Sequence, residues 1–206
     1  DANEVKPFRF KYLTESRKIY VLSLLVGLCA GLSAVLLDYL IHLIRRLLTS
    51  GFADGLFHWQ YLVYPGVGML ISYLLLKFVV RDNISHGVTK VLLAVSRNDS
   101  LIKPHNTWTS VLTSSVTIGF GGSVGAEAPI VYTGAAIGSN IGRLAGLSYR
   151  SVTLLLGCGA AAAVAGIFKA PLAGVLFTVE ILMFSISLNS LLPLLLSTIT
   201  ATVVSY

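Results

Sequence analysis

Glu127 is the only charged side chain between Lys103 and Arg143, and it sits in Gly121-Gly-Ser-Val-Gly-Ala-Glu-Ala-Pro129. A carboxylate at bilayer depth is costly and marks a functional position by default. Pro129, two residues on, suits the first turn of a helix. A helix starting there aims free backbone N–H groups at whatever occupies the site, which favours an anion. Desolvation favours the protonated form of such a carboxylate, and helix N-terminal amides favour the ionised form. A group balanced in this way binds in an anion site when ionised and leaves it when protonated.

The elements that must hold this carboxylate are those of a membrane protein. Of the 206 residues, 55% are hydrophobic and only 12% charged, and the mean hydropathy is +0.81; soluble domains carry about 25% charged residues. The expected fold is an all-α, multi-pass integral membrane protein with tilted and broken helices. The net charge of +6 lies at predicted helix ends and in loops. It is not gathered into one patch of the kind a nucleic-acid binder carries, and anionic lipid headgroups account for it. Cys29 and Cys158 lie in apolar runs without metal-ligand spacing and read as small buried hydrophobes. No residue pattern asks for a cofactor.

Residues 1–18 are polar and basic with interleaved aromatics, and the positive-inside rule places them at the cytoplasmic interface. Residues 19–48 form a first span of about 45 Å, longer than the ~30 Å hydrocarbon core, so it must tilt or protrude. Gly27 and Gly31 give it a small-residue packing face, and Asp38, His42, Arg45 and Arg46 form an interfacial ion cluster near its end. Residues 61–80 are a second span, bent near Pro65, with an aromatic belt of Trp59, Tyr61 and Tyr64. The polar stretch 81–103 is cytoplasmic by its charge, yet its apolar turns at 88–95 are too short to cross and read as a re-entrant helix. A short Ser/Thr-rich piece at 107–120 precedes the glycine break at 119–125. Helix resumes over 129–146, where Gly134, Gly138, Gly142 and Gly146 recur every four residues and demand a closely packed neighbour. Spans at 151–166, 172–184 and 188–206 follow, separated by the break at 166–171. The last run stays apolar to Tyr206, as expected of a fragment boundary. Broken helices at membrane depth line cavities, and half-helix N-termini there hold anions.

Three ordered blocks carry a resemblance. They are Gly122-Ser-Val-Gly-Ala-Glu-Ala-Pro129, Gly134-Ala-Ala-Ile-Gly-Ser-Asn-Ile-Gly-Arg143 and Gly166-Ile-Phe-Lys-Ala-Pro-Leu-Ala-Gly-Val-Leu-Phe-Thr-Val-Glu180. Together the region 85–206 resembles the CLC family of chloride channels and chloride/proton antiporters. The resemblance implies that residues 19–206 are the first of two inverted repeats, from a homodimer with one pore per subunit in the cell membrane. It implies voltage- or pH-gated transport of chloride or a similar small anion, with Glu127 as the gating glutamate and proton carrier of the antiporters. The anion would be lined by the backbone near Gly125, Ala126 and Ala128. The family's Gly-Ser-Gly-Ile-Pro has its nearest match at Ser85-His86-Gly87-Val88, where either Ser85 or His86 takes the serine position. Ala126 replaces the basic residue usual before the gating glutamate, which weakens attraction for anions at the entrance. Ile181 stands where antiporters commonly have a second glutamate, which favours a channel over an antiporter that uses another proton route. Glu180 is expected to be structural, pairing near a helix end, and Lys169 to snorkel at the interface.

Two readings from other classes compete. An intramembrane serine protease would use Ser123, but His42, His58, His86 and His105 all precede it, a poor order for a dyad. A non-transporting scaffold explains the glycines but gives Glu127 and the broken helices no reason.

Overall fold

The computed structural model describes residues 15–49, 60–80, 87–97, 100–181 and 188–206, which are helical with no strand among them. In chain order the helices are α1 (Glu15–Thr49), α2 (Gln60–Leu75), α3 (Gly87–Arg97), α4 (Asn106–Gly119), α5 (Glu127–Leu144), α6 (Tyr149–Phe168), α7 (Pro171–Ile181) and α8 (Leu188–Ser205); α2 runs on into a π-helical turn, Leu76–Val80. Two of them are long and apolar enough to cross a membrane, Arg17–Thr49 within α1 and Tyr149–Phe168. Helices α3 and α7, at 11 residues each, are about 17 Å long, half of what a crossing needs.

Helix α6 occupies the centre because from Leu154 to Phe168 it is apolar on every side. It contributes to all three buried clusters: Leu156, Ala160 and Val164 to one with α3 and α5; Ala162 and Ala163 to one with α1, α4, α5 and α8; Leu155, Cys158 and Ala161 to one with α1, α7 and α8. Against it lies α5, and the glycine stripe explains how closely. A Cβ added at Gly134 would lie 2.8 Å from the carbonyl carbon of Gly159, and one at Gly138 would lie 2.9 Å from Leu156 Cα. The small-residue face of α1 serves α8 in the same way, with Gly27 facing Ser197 and Gly31 facing Ala201, each 2.9 Å from that residue's Cα by the same measure.

Some expectations need correction. Gly146 does not extend the stripe: α5 ends at Leu144, and Gly146 has φ +63° in the turn that follows, a left-handed conformation that glycine adopts without strain. The break expected at 166–171 comes late, because α6 continues to Phe168 and stops where Lys169 turns left-handed at φ 53°. Lys169 then covers the Tyr206 ring, its Nζ 5.3 Å from the centroid. Of the interfacial cluster, Asp38 and His42 pair at 3.6 Å on an exposed face of α1. Cys158 is buried and Cys29 half-buried, both as free thiols. Trp59 and the segment 1–14 lie outside the described residues.

Candidate anion site

The N-terminus of α5 is left uncapped. Ala126 holds the N-cap position and offers no side-chain hydrogen bond, where Ser, Thr, Asp or Asn would ordinarily satisfy an orphan amide. The first intrahelical bond runs from Ile130 N–H to Ala126 O at 3.2 Å. The N–H groups of Glu127 and Ala128 precede it and have no acceptor within the helix, and Pro129 has no N–H to satisfy. Here the macrodipole and the bare donors both favour an anion.

Helix α3 delivers its own N-terminus to the same place. A Cβ on Gly87 would run into the Ala128 carbonyl oxygen and lie 3.2 Å from Tyr132 Cβ. Lys90 reinforces the contact, with its Nζ 5.8 Å from the Tyr132 ring centroid. At its far end α3 is tied down by polar bonds. Tyr149 donates its hydroxyl to Val95 O at 3.0 Å, and Ser139 Oγ accepts from Ile102 N–H at 3.2 Å while donating to Ser100 O at 2.6 Å. Asn140 adds a bond to Ile102 O at 3.2 Å. The loop after α3 is thus stitched to α5, which fixes the register of both N-termini.

Between them opens a cavity of about 360 Å³ whose lining includes Gly87, Ala128, Pro129 and a hydroxyl-rich face of α4. Gly87 and Ala128 are the expected site residues that meet there. Val88 and Ala126 pack instead against the apolar clusters, and Gly125 is exposed. Ser85 and His86 lie outside the described residues. Glu127 is the first residue of α5 and is exposed, whereas its sequence setting predicts a desolvated carboxylate. Its side chain folds back over Gly125, where an added Cβ would sit 3.3 Å from Glu127 Cδ and collide with Oε2.

Sequence reasoning missed the α4 wall. Its signal was the recurrence of Ser110, Thr113, Ser114 and Thr117 at helical spacing in an otherwise apolar segment. Ser123, the candidate nucleophile, is exposed and forms no hydrogen bond to a histidine among the described residues.

Residues 67–206 match the family model described as voltage gated chloride channel. The chain belongs to the CLC family. CLC homologues are integral membrane proteins, in keeping with the composition. A ClcB-like chloride channel protein of Ralstonia nicotianae is 30% identical over 150 residues, 71% of this chain and 35% of that one. The H+/Cl− exchange transporter ClcA of Klebsiella pneumoniae is 27% identical over 177 residues, 79% of this chain and 36% of the relative. Among solved structures, a CLC-type fluoride/proton antiporter superposes with a TM-score of 0.75 at 28% identity, covering 92% of this chain and 46% of that one. A slow cyanobacterial Cl−/H+ antiporter shares the fold, with a TM-score of 0.78 at 23% identity. The chain therefore spans about a third of these two curated CLC relatives and just under half of the matched CLC structures. At the end of α7, Ile181 packs against the α3–α5–α6 cluster. Glu180 is exposed and makes no ion pair with a described residue.

Proposed function

We propose that this chain forms the first repeat of a CLC-type pore that moves chloride or a similar small anion across a membrane. The anion passes the N-termini of α3 and α5, with Glu127 as the gate. The observation that carries this reading is the convergence of Gly87 and Ala128 on one cavity, at the free amides of α5. Ionised, the Glu127 carboxylate competes with the anion for those amides; protonated, it no longer does. A lone carboxylate above an uncapped helix start therefore makes permeation depend on pH. In this reading the second repeat supplies the remaining surroundings of Glu127, and exposed Leu172, Leu176, Ile199 and Val203 on α7 and α8 support an apolar neighbour for that face, lipid or the other subunit of a homodimer.

Ile181 favours a channel, because an apolar side chain carries no proton. The antiporter reading keeps its support in the H+/Cl− exchange transporter relative and the CLC-type fluoride/proton antiporter structure. Simultaneous chloride and proton flux from liposomes holding the full-length protein separates the two. Protons driven against their gradient identify an antiporter, and chloride flux alone a channel. Glu127→Gln mimics the protonated gate and should abolish pH dependence together with any coupling. Unchanged pH dependence in that variant would remove Glu127 from the gate.

A further inference from the structure

Lys90 stands where a helix does least to hold a cation. It lies in the first turn of α3, beside the positive end of the macrodipole, where acidic residues are favoured and basic ones are not. No acidic residue shares that turn, and Lys90 forms no ion pair with a described residue. The side chain is half-buried and turned toward α5. Its ammonium sits over an uncharged ring, 5.8 Å from the Tyr132 centroid.

Tyr132 fixes where that charge acts. It is 5% exposed, and an added Cβ on Gly87 would lie 3.2 Å from its Cβ. From Ala128 to Tyr132 the helix rises about 6 Å. The contacts Gly87–Ala128, Lys90–Tyr132 and Ile102–Ser139 ascend together along both segments, so α3 and α5 run side by side in the same direction. Their dipoles add, and both present positive ends to the cavity that Gly87 and Ala128 line. No carboxylate is among the described residues lining that cavity. A full positive charge close behind two positive helix ends is unfavourable for the fold, yet it strengthens a potential of one sign. Such a field in a low-dielectric cleft raises the local concentration of the opposite ion and its rate of entry. We propose that Lys90 is an electrostatic attractor that speeds the entry of small anions into the α3–α5 cavity without coordinating them. The inference rests on the anion-transport reading and adds to it a residue that sets entry rate and salt dependence.

The test compares liposome flux at fixed chloride for full-length wild type, Lys90→Met and Lys90→Arg, with ionic strength set by an impermeant salt. The Debye length is about 30 Å at about 0.01 M and about 3 Å at about 1 M, so a steering charge acts in dilute salt and is screened in concentrated salt. Lys90→Met should lose about fivefold in flux in dilute salt and match wild type in concentrated salt. Lys90→Arg keeps the charge and should keep both the flux and its salt dependence, while detergent melts show that each variant folds. A loss in Lys90→Met that is equal in both salts, or that Lys90→Arg shares, would make Lys90 a packing residue and overturn the proposal. Wild-type flux in Lys90→Met in dilute salt would overturn it as well. Each of these outcomes leaves the anion-transport reading standing, whereas a wild-type protein that moves no anion would overturn both.

Discussion

Gly87 rests on the main chain of Ala128: an added Cβ would meet the Ala128 carbonyl, 3.0 Å from its carbon. The two helix N-termini are therefore spaced by backbone contact, with no side chain between them that could yield. Gly87→Ala must push α3 away from α5 and widen the cavity mouth. Overpacking of this kind costs about 1–3 kcal/mol. We expect anion flux to fall about tenfold or more, with a lower melting temperature; wild-type flux in a folded Gly87→Ala protein would show that the spacing is not functional.

Gly125→Ala should behave differently. The group its Cβ would strike is the far end of the Glu127 side chain, which can rotate away. Stability should stay within about 0.5 kcal/mol, the usual range for an exposed substitution. The effect should appear in gating, as a displaced pH dependence of flux. A variant with normal pH dependence would mean that the folded-back carboxylate is not a state the gate uses.

The α5–α6 seam predicts a loss of stability without tolerance. At Gly159 an added Cβ would lie 2.8 Å from the Gly134 carbonyl carbon and 3.2 Å from Gly138 N. Neither atom is able to move alone, so Gly159→Ala should cost at least the about 1–3 kcal/mol of core overpacking. Detergent melts and the yield of folded protein check this. An unshifted melt would contradict the packing described.

Ser139→Ala tests the stitch behind the site. It would leave the Ile102 N–H and the Ser100 carbonyl without the bonds that Ser139 provides at 3.2 and 2.6 Å, in a residue that is 1% exposed. Stranding such groups costs about 1–3 kcal/mol. The melting temperature should drop, and hydrogen exchange at Ile102 should quicken; protection equal to wild type would show that the Ser139 bond does not hold this loop.

Much of this was legible in the residues. The glycines at 134 and 138 announced a neighbour at backbone distance, and α6 proved to be that neighbour. Pro129 and the run before it marked the start of α5 because a first turn has no intrahelical bond for a missing N–H to lose. Gly146 misled because four-residue periodicity cannot distinguish a packing face from the residue that ends a helix. The exposure of Glu127 was not legible, since burial depends on surfaces that these residues do not contribute. The α4 hydroxyls were readable as a stripe. Only the fold shows that α2, α3 and α5 close a cavity against them.

Helices whose side chains interdigitate can creep past each other by changing rotamers. Where Gly134 and Gly159 bring main chain against main chain, there is nothing to rotate. Helices α5 and α6 then form one stiff beam. The rapid freedom left at its tip is the torsions of the Glu127 side chain, which relax in picoseconds to nanoseconds when exposed. A slow opening step, if kinetics reveal one, belongs to proton arrival or ion release, with the beam itself standing still.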